Sequence, residues 1–346
     1  MANYTTINKS SEHFNTKLYN GTGSSNAITG VGFQPDFTWI KRRNSATAHH
    51  LHNSVSGATK VLNSNTTSAE STDAQKLSSF NSDGFTVGTN GDANNSSGTF
   101  ASWNWLANGA GSANTDGSIN STVSVNQTAG FSIVSWTGTG ANATIGHGLG
   151  SVPKMILLKC RTQGDKWIVY HNSIGNTKYL VLNDTDAETT GSTHWNNTSP
   201  TSSVFYTGTS GNVSGTGEDF IAYCFADVPG YSKFGSYVGN GNADGTFVYT
   251  GFKPAFIMIK KSNAGDGWFM YDNKREGYNQ QNNHVMAHSN AAETTGGSVA
   301  YIDILSNGFK CRSTNGNMNA SGDSYITMCF AEAPLVGTNN VPCTAR

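Results

Sequence analysis

One set of similar sequence blocks occurs three times in this chain and constrains its fold more than any other feature. Each set starts with a proline, one variable residue and a mostly apolar run that ends at a lysine. A short apolar run closed by a charge is typical of a buried strand that emerges into solvent. The three runs are 35–41, 153–159 and 254–260.

The blocks that follow each run keep the same order. A His-Asn-Ser block in the first copy resembles one in the second, and Tyr-Asp-Asn is its degraded third version. An Ala-Glu-Ser/Thr-Thr block comes next, and an aromatic strand closes each copy. Because the blocks recur in one order, the sequence predicts one β-rich unit copied three times. The matched blocks are 52–54, 171–173 and 271–273; 69–72, 187–190 and 292–295; and the closing strands 99–105, 219–226 and 324–331.

Composition favours sheets over helices in every copy. Thr, Tyr, Phe, Trp and Val suit half-buried strands, and the 40 glycines, with Asn and Asp, supply turns. No long stretch keeps a helical apolar stripe. We therefore predict an all-β chain of three tandem β-sandwich domains of jelly-roll or lectin-like type. The predicted boundaries are an N-terminal arm at 1–12, repeat 1 at 13–107, a flexible linker at 108–116, repeat 2 at 117–227, repeat 3 at 228–336 and a C-terminal tail at 337–346.

Charge and targeting signals limit the partners. Charged residues make up 12% of the chain and the net charge is −1, so the long-range field that attracts nucleic acid or anionic lipid is absent. The N-terminus has neither a basic nor an apolar leader region, and no apolar run has membrane-spanning length. Five cysteines without C-x-x-C spacing indicate free thiols in a reducing compartment. We expect no nucleic-acid partner and no membrane insertion.

Two histidines are the nearest candidates for metal ligands. His50 and His52 share one face of a predicted strand, and such a pair could bind a transition metal. The alternative is that His52 is the first-copy version of His171, a strand-end residue with a structural hydrogen bond. No Cys or carboxylate nearby completes a ligand set, so we predict no metal and no cofactor.

Carboxylates and loop aromatics are the candidates for catalysis and for sugar binding. Each copy carries one glutamate in its Ala-Glu block, whereas glycoside hydrolysis needs two carboxylates in one cleft, so we expect salt bridges or turn caps and no enzyme. Aromatic rings in loops could stack on sugars, although in this composition core packing is the alternative. The candidate residues are Trp195, Trp268 and Tyr278.

The matched blocks, taken together, resemble the repeated β-domain virion structural proteins of marine tailed bacteriophages, often called tail fibre-like. The resemblance covers nearly the whole chain and includes the opening 2–9, the Gly-Phe-x-Pro strands, the segment 230–237 and the ending 330–334. It implies a virion surface protein assembled in the host cytoplasm. It also implies a homo-oligomer that contacts other virion proteins, of the capsid or the tail, through an N-terminal docking arm, with a host-surface glycan as a further possible partner. It brings no catalytic residues.

Three functions therefore stay open at this point. The first is a non-enzymatic virion component, either a tail fibre or appendage or a head decoration, that contributes to host attachment. The second is a lectin-like carbohydrate-binding module, and the third is a polysaccharide depolymerase. The sequence distinguishes neither head from tail nor one strand topology from another.

Overall fold

In a computed structural model that describes residues 5–296, 300–336 and 343, the first repeat forms two main antiparallel sheets and a further two-stranded sheet of Lys60–Val61 with Ser71–Thr72. Its strands are β1 (Phe14–Asn20), β2 (Asn26–Thr29), β3 (Phe37–Arg42), β4 (His50–Asn53), β5 (Lys60–Val61), β6 (Ser71–Thr72), β7 (Leu77–Asn81), β8 (Gly84–Val87) and β9 (Thr99–Trp105), with a 3₁₀ turn at Ser10–Glu12 and the short helix α1 (Gly91–Asn94). The larger sheet has the order β1-β9-β3-β4 and the smaller one β2-β8-β7.

The remaining strands belong to a connecting segment and to the other two repeats. The connecting strands are β10 (Ser112–Asn114) and β11 (Ser121–Asn126). Repeat 2 contains β12 (Phe131–Thr137), β13 (Ala143–Gly146), β14 (Met155–Cys160), β15 (Ile168–His171), β16 (Lys178–Val181), β17 (Thr189–Thr190), α2 (Ser192–Trp195), β18 (Val204–Thr207), α3 (Gly211–Ser214) and β19 (Asp219–Phe225). Repeat 3 contains β20 (Ser232–Val238), β21 (Phe247–Tyr249), β22 (Phe252–Lys261), β23 (Trp268–Asp272), β24 (Val285–Met286), β25 (Ile302–Leu305), β26 (Gly308–Cys311), α4 (Gly316–Asn319) and β27 (Ser324–Pro334).

All three repeats use one strand order. The larger sheets of repeats 2 and 3 contain β12-β19-β14-β15 and β20-β27-β22-β23, which correspond strand for strand to β1-β9-β3-β4. The smaller sheets, β13-β18 and β21-β26-β25, correspond to β2-β8-β7. Each smaller sheet packs on its own larger sheet around an apolar cluster. The all-β sandwich prediction is confirmed. None of the helices in the described residues is long and apolar enough to cross a membrane.

A fourth apolar cluster lies between the repeats and is shared by all of them. Because side chains alternate along a strand, Ile40 faces the core of repeat 1 while Phe37 and Trp39 face this shared core. Strand β14 is buried at every position, as expected for a strand covered on both faces. The shared core contains, among others, Trp103, Trp105, Tyr223, Phe225, Phe256, Met328 and Phe330. The repeats are therefore faces of one packed unit.

The lysines that end the apolar runs also point into this unit. Lys41, Lys159 and Lys260 are 0% exposed, whereas the sequence pattern predicted strand ends in solvent. That prediction was wrong because their side chains follow the inward alternation of each strand. Their Nζ atoms donate hydrogen bonds to backbone carbonyls, and burial lowers the pKa of each lysine to about 8.

Three segments, here called straps, join neighbouring repeats. They comprise residues 63–70, 181–188 and 286–293, and each lies on the next repeat: the first on repeat 2, the second on repeat 3 and the third on repeat 1. Each strap starts at a backbone carbonyl that bonds a buried ring nitrogen of that neighbour and ends at a glutamate N–H that donates to a carbonyl there. The ring contacts are Trp167 Nε1 to Asn63 O at 2.9 Å, Trp268 Nε1 to Val181 O at 2.9 Å and His49 Nε2 to Met286 O at 3.1 Å. Such head-to-tail contacts close a ring within one polypeptide.

Two of the three strap glutamates also pair with an arginine across the repeat boundary. Glu70 pairs with Arg161 at 2.8 Å, and Glu293 pairs with Arg43. In the second strap, residues 181–188, Ser262 replaces the arginine, and Glu188 pairs instead with Lys178 of its own repeat. The expectation that these glutamates form salt bridges is confirmed.

Removing Glu293 should therefore destabilise the chain more than removing Glu188. The Glu293 side chain is 2% exposed, so E293A leaves the partly buried Arg43 without its carboxylate and should cost about 3–5 kcal/mol of unfolding free energy. In the control E188A, Lys178 loses its carboxylate partner, but Lys178 is 38% exposed and water solvates it, so the loss of unfolding free energy should be about 0–1 kcal/mol. Urea denaturation of both variants measures the difference, and equal losses would contradict this role for the strap.

Residues 5–12 of the predicted arm and residues 112–114 of the predicted linker pack on the molecule, and residues 1–4 lie outside the described part of the chain. Within the arm, Ile7 is 3% exposed and belongs to the shared core, so residues 5–12 are not a free docking arm. Within the linker, Ser112–Asn114 forms β10, which pairs with β11, so the prediction of a flexible linker was wrong there. Of the predicted tail, only Cys343 lies within the described residues. All five cysteines are free thiols.

Candidate binding grooves

The two candidate metal ligands lie inside the sandwich of repeat 1. His50 and His52 are 0% exposed and pair across the sheet with Ile40 and Thr38. Residues paired across strands share a face, so both histidines point toward the core of repeat 1. The strand pairings place Ile168 and Tyr170 at the same positions in repeat 2, and Phe269 and Tyr271 in repeat 3.

The alignment of His52 with His171 was wrong by one residue. His171 pairs with Met155, which corresponds to Phe37, and Phe37 pairs with Asn53. A slip of one residue reverses the face of a strand side chain. His171 accordingly faces the shared core, where its Nε2 lies 3.3 Å from the Thr327 carbonyl of repeat 3.

The two histidines are neutral and have no third metal ligand beside them among the described residues. Burial lowers the pKa of His52 to about 4 and holds that of His50 well below its usual value. Their Nδ1 atoms have partners, namely the Ala58 carbonyl and the Asn63 amide, while both Nε2 atoms are buried without one. Among residues 5–296, 300–336 and 343, no group of three His, Cys, Asp or Glu side chains could hold a metal ion.

The three candidate stacking aromatics have different surroundings. Trp195 is 2% exposed and packs edge-on against Tyr170, and Trp268 is 1% exposed in the shared core. Neither ring can stack on a sugar, so these two predictions were wrong. Both rings pack in the core instead, which was the alternative for an aromatic-rich sequence. Tyr278 is 69% exposed and stays a prediction.

An exposed aromatic pair that sequence reasoning missed lies on β21. Phe247 and Tyr249 are 43% and 57% exposed, and Val248 between them is buried. The strand pairings place Ala27 and Thr29 at these positions in repeat 1 and Thr144 and Gly146 in repeat 2. The alternation in Phe-Val-Tyr, absent from the other copies, is the signal that could have found the pair.

Grooves lie between neighbouring repeats. In each repeat the outer strand of the larger sheet, β1, β12 or β20, lies beside the preceding repeat in the ring. Along such a strand the backbone N–H and C=O groups of one residue point toward the paired strand of its sheet, and those of the next residue point away from the sheet, into the groove. What covers this outward edge differs among the three grooves.

The groove between repeats 1 and 2 is filled by the chain itself. Strand β11 pairs antiparallel with β12, from Thr122 opposite Ser135 to Asn126 opposite Phe131. The segment before it is held by Asp36, whose carboxylate accepts the N–H groups of Ala107 and Gly109. Because β10 and β11 extend the larger sheet of repeat 2, β12 lies inside an eight-stranded sheet and β11 covers its edge.

The groove between repeats 2 and 3 is partly capped. Asp227 accepts the outward N–H of Phe234 at 2.8 Å, and Val228 bridges Ser232. A volume of about 360 Å³ remains, lined among others by Lys154, Asn172, Asp227, Lys233 and Tyr249. This combination of polar groups and one exposed aromatic ring fits a small polar ligand.

The groove between repeats 3 and 1 is open along β1. The His13 carbonyl accepts from Leu106 N–H, and Gly21 N–H donates to the Gly98 carbonyl, so odd-numbered residues of this strand bond toward β9. The N–H and C=O groups of the even-numbered residues between them therefore point away from β9, into the groove. The outward N–H and C=O groups of Thr16 and Leu18 have no hydrogen-bond partner among the described residues. A volume of about 320 Å³ lies beside them, lined by Asn15–Leu18, Gly30 and Lys274, and a narrower part of about 50 Å³ continues toward Phe14.

Comparison with known proteins gives a family but no activity. A family model described as a domain of unknown function (DUF7483) matches residues 9–334. Among curated proteins and solved structures, no match to the chain was found.

Proposed function

Since the chain belongs to the DUF7483 family, whose function is unknown, we propose a function from its own sequence and structure. We propose that it is a non-enzymatic surface protein of a bacteriophage particle, a tail appendage or a head decoration, that contributes to host attachment.

The observation that carries this proposal is the closed ring of three repeats around one core. Residues at matched positions of the repeats hold neighbouring repeats together. Trp167 and Trp268 donate ring N–H bonds to strap carbonyls, and Glu70 and Glu293 form salt bridges across the repeat boundary. A ring that closes within one polypeptide needs no partner chain to bury its core. Such a rigid β-scaffold suits a protein that presents surfaces outside a cell.

The exposed pair Phe247 and Tyr249 is the best candidate for the attachment contact. Aromatic rings beside polar groups are a common arrangement for binding sugars, and Tyr249 borders the partly capped groove. Because only repeat 3 carries these rings, one copy of the unit would carry the contact. This also supports a lectin-like module as the second candidate function.

Mass spectrometry of purified particles from a host that produces the protein tests the virion proposal. We expect the chain to copurify with the particles, at a few to tens of copies for a tail part or at hundreds for a decoration. Absence from the particles, together with binding of the isolated chain to a glycan array that Y249A abolishes, would favour the free lectin-like module. Release of reducing ends from host polysaccharide would overturn the non-enzymatic assignment.

A further inference from the structure

We propose that the open groove between repeats 3 and 1 binds an extended acidic peptide segment of a partner protein, which adds a strand to the edge of β1. The proposal goes beyond the function above and stands on the groove alone, because it holds whether or not the chain belongs to a virion.

The chain itself shows which kind of ligand this position accepts. Strand β12 occupies the place in repeat 2 that β1 occupies in repeat 1, since both pair with the closing strand in the same register. Its outward edge is covered by β11, an extended segment that pairs antiparallel along it. Strand addition of this kind supplies affinity through main-chain hydrogen bonds.

The edge of β1 is available, whereas the edge of β20 is guarded. At β20 the Asp227 carboxylate takes the outward N–H of Phe234 and blocks the approach of a strand. Natural proteins protect exposed edges in this way. The position of Phe234 corresponds to Thr16 in β1, where no such cap is present among the described residues.

The filled groove favours one extended segment over a second copy of this chain. There the edge of β12 is covered by the single strand β11 of a connecting segment. In the open groove Lys274 of repeat 3 and Gly30 line the space beside Asn15–Leu18. Pairing between two copies is therefore an outcome that the experiment must exclude.

The charge of the groove indicates the side chains of the segment. In the filled groove Val123 of β11 pairs with Val134, and the position of Val134 corresponds to Lys17 in β1. Neither Lys17 nor Lys274 forms a salt bridge with a described residue. The pKa of Asp83 is lowered mainly by hydrogen bonds from backbone N–H groups, and Asp83 is close enough to Lys17 for that charge to lower it further. Glu332, which lines the narrower part, pairs with Lys253. Opposite charges directly across two strands are favourable, so a segment with Asp or Glu opposite Lys17 is expected.

A peptide taken from the chain provides the probe. It spans residues 118–129, which include β11, with Val123→Glu to place a carboxylate opposite Lys17, and carries a fluorescent label. Fluorescence anisotropy with the full-length protein should show saturable binding at low salt. The same peptide with Val123→Lys should bind at least about tenfold more weakly, a difference of about 1.4 kcal/mol. Equal affinities of the two peptides, or no binding of either, would overturn the proposal.

Backbone methylation tests strand pairing without altering the protein. In β11 the residues paired with the outward edge include Thr122 and Ser124, while Val123 alternates with them. N-methylation of the peptide at Thr122 and Ser124 should abolish binding, and N-methylation at residue 123 alone should not. Loss in both peptides, or in neither, would contradict strand addition.

Two matched proline variants locate the site. Leu18 and Ser236 occupy the same position in β1 and β20, and proline removes the outward N–H of either. L18P should abolish peptide binding, whereas S236P should leave it unchanged. Loss in S236P alone would place the site elsewhere. Sedimentation of the parent chain tests for a second copy at the edge. A dimer that the peptide does not dissociate and that L18P abolishes would show that a second copy occupies the edge, and this result would also overturn the proposal.

Discussion

Deleting residues 228–346 should leave a fragment that does not fold. The inner faces of the larger sheets of repeats 1 and 2 pack in the shared core against repeat 3, for example against Phe256, Met258 and Phe330. Each large apolar side chain there contributes about 1.5–3 kcal/mol by burial. Loss of several of them exceeds the total stability of about 5–15 kcal/mol that is usual for a folded protein.

The fragment is compared with a full-length chain that carries one substitution in the same core. Near-ultraviolet circular dichroism and amide dispersion in NMR should show no fixed tertiary structure in residues 1–227. The variant F330A should stay folded and lose about 3–5 kcal/mol. A fragment that unfolds with a sharp, reversible transition would show that the repeats are independent.

Acid should weaken the chain through its buried histidines. Burial lowers the pKa of His171 from 6.5 to about 4, so between these pH values the unfolded chain binds a proton that the folded chain does not. The unfolding free energy is therefore complete above pH 6.5 and declines as pH falls toward 4. The shift is equivalent to roughly 3 kcal/mol for this residue. His49, His50 and His52 act in the same direction.

The variant H171N isolates the contribution of one histidine. Asparagine already stands at the corresponding position of repeat 1, where the Asn53 amide donates to the Tyr223 hydroxyl of the next repeat. Urea denaturation at pH 7.5 and pH 4.5 should show a smaller acid loss for H171N than for the parent chain. Identical losses would mean that His171 does not titrate between these values in the folded chain.

The repeat and the sheet class were readable from the sequence because they depend on local patterns. The shared core was harder to predict from the sequence, since matched blocks reveal the copies but not how the copies pack against one another. The six-residue run of β14 was the available clue, because continuous burial indicates a strand covered on both faces. The connecting segment was misread because its glycines and serines suggested flexibility, while its order comes from the distant Asp36 and from pairing with the neighbouring strand β11.

The candidate sites depended even more on tertiary context. One residue of register decided that His52 faces one core and His171 another, and no local motif fixes that register. The open groove could not be predicted because it is defined by what is missing beside β1 and present beside β12. Only the pairing of strands distant in the chain reveals that difference.

Differential scanning calorimetry of the full-length chain tests most directly whether the three repeats form one unit. If they share a core and close a ring, unfolding is a single cooperative transition, and the calorimetric and van't Hoff enthalpies agree, with a ratio of about one. A ratio near three, or separate transitions for the repeats, would contradict the account.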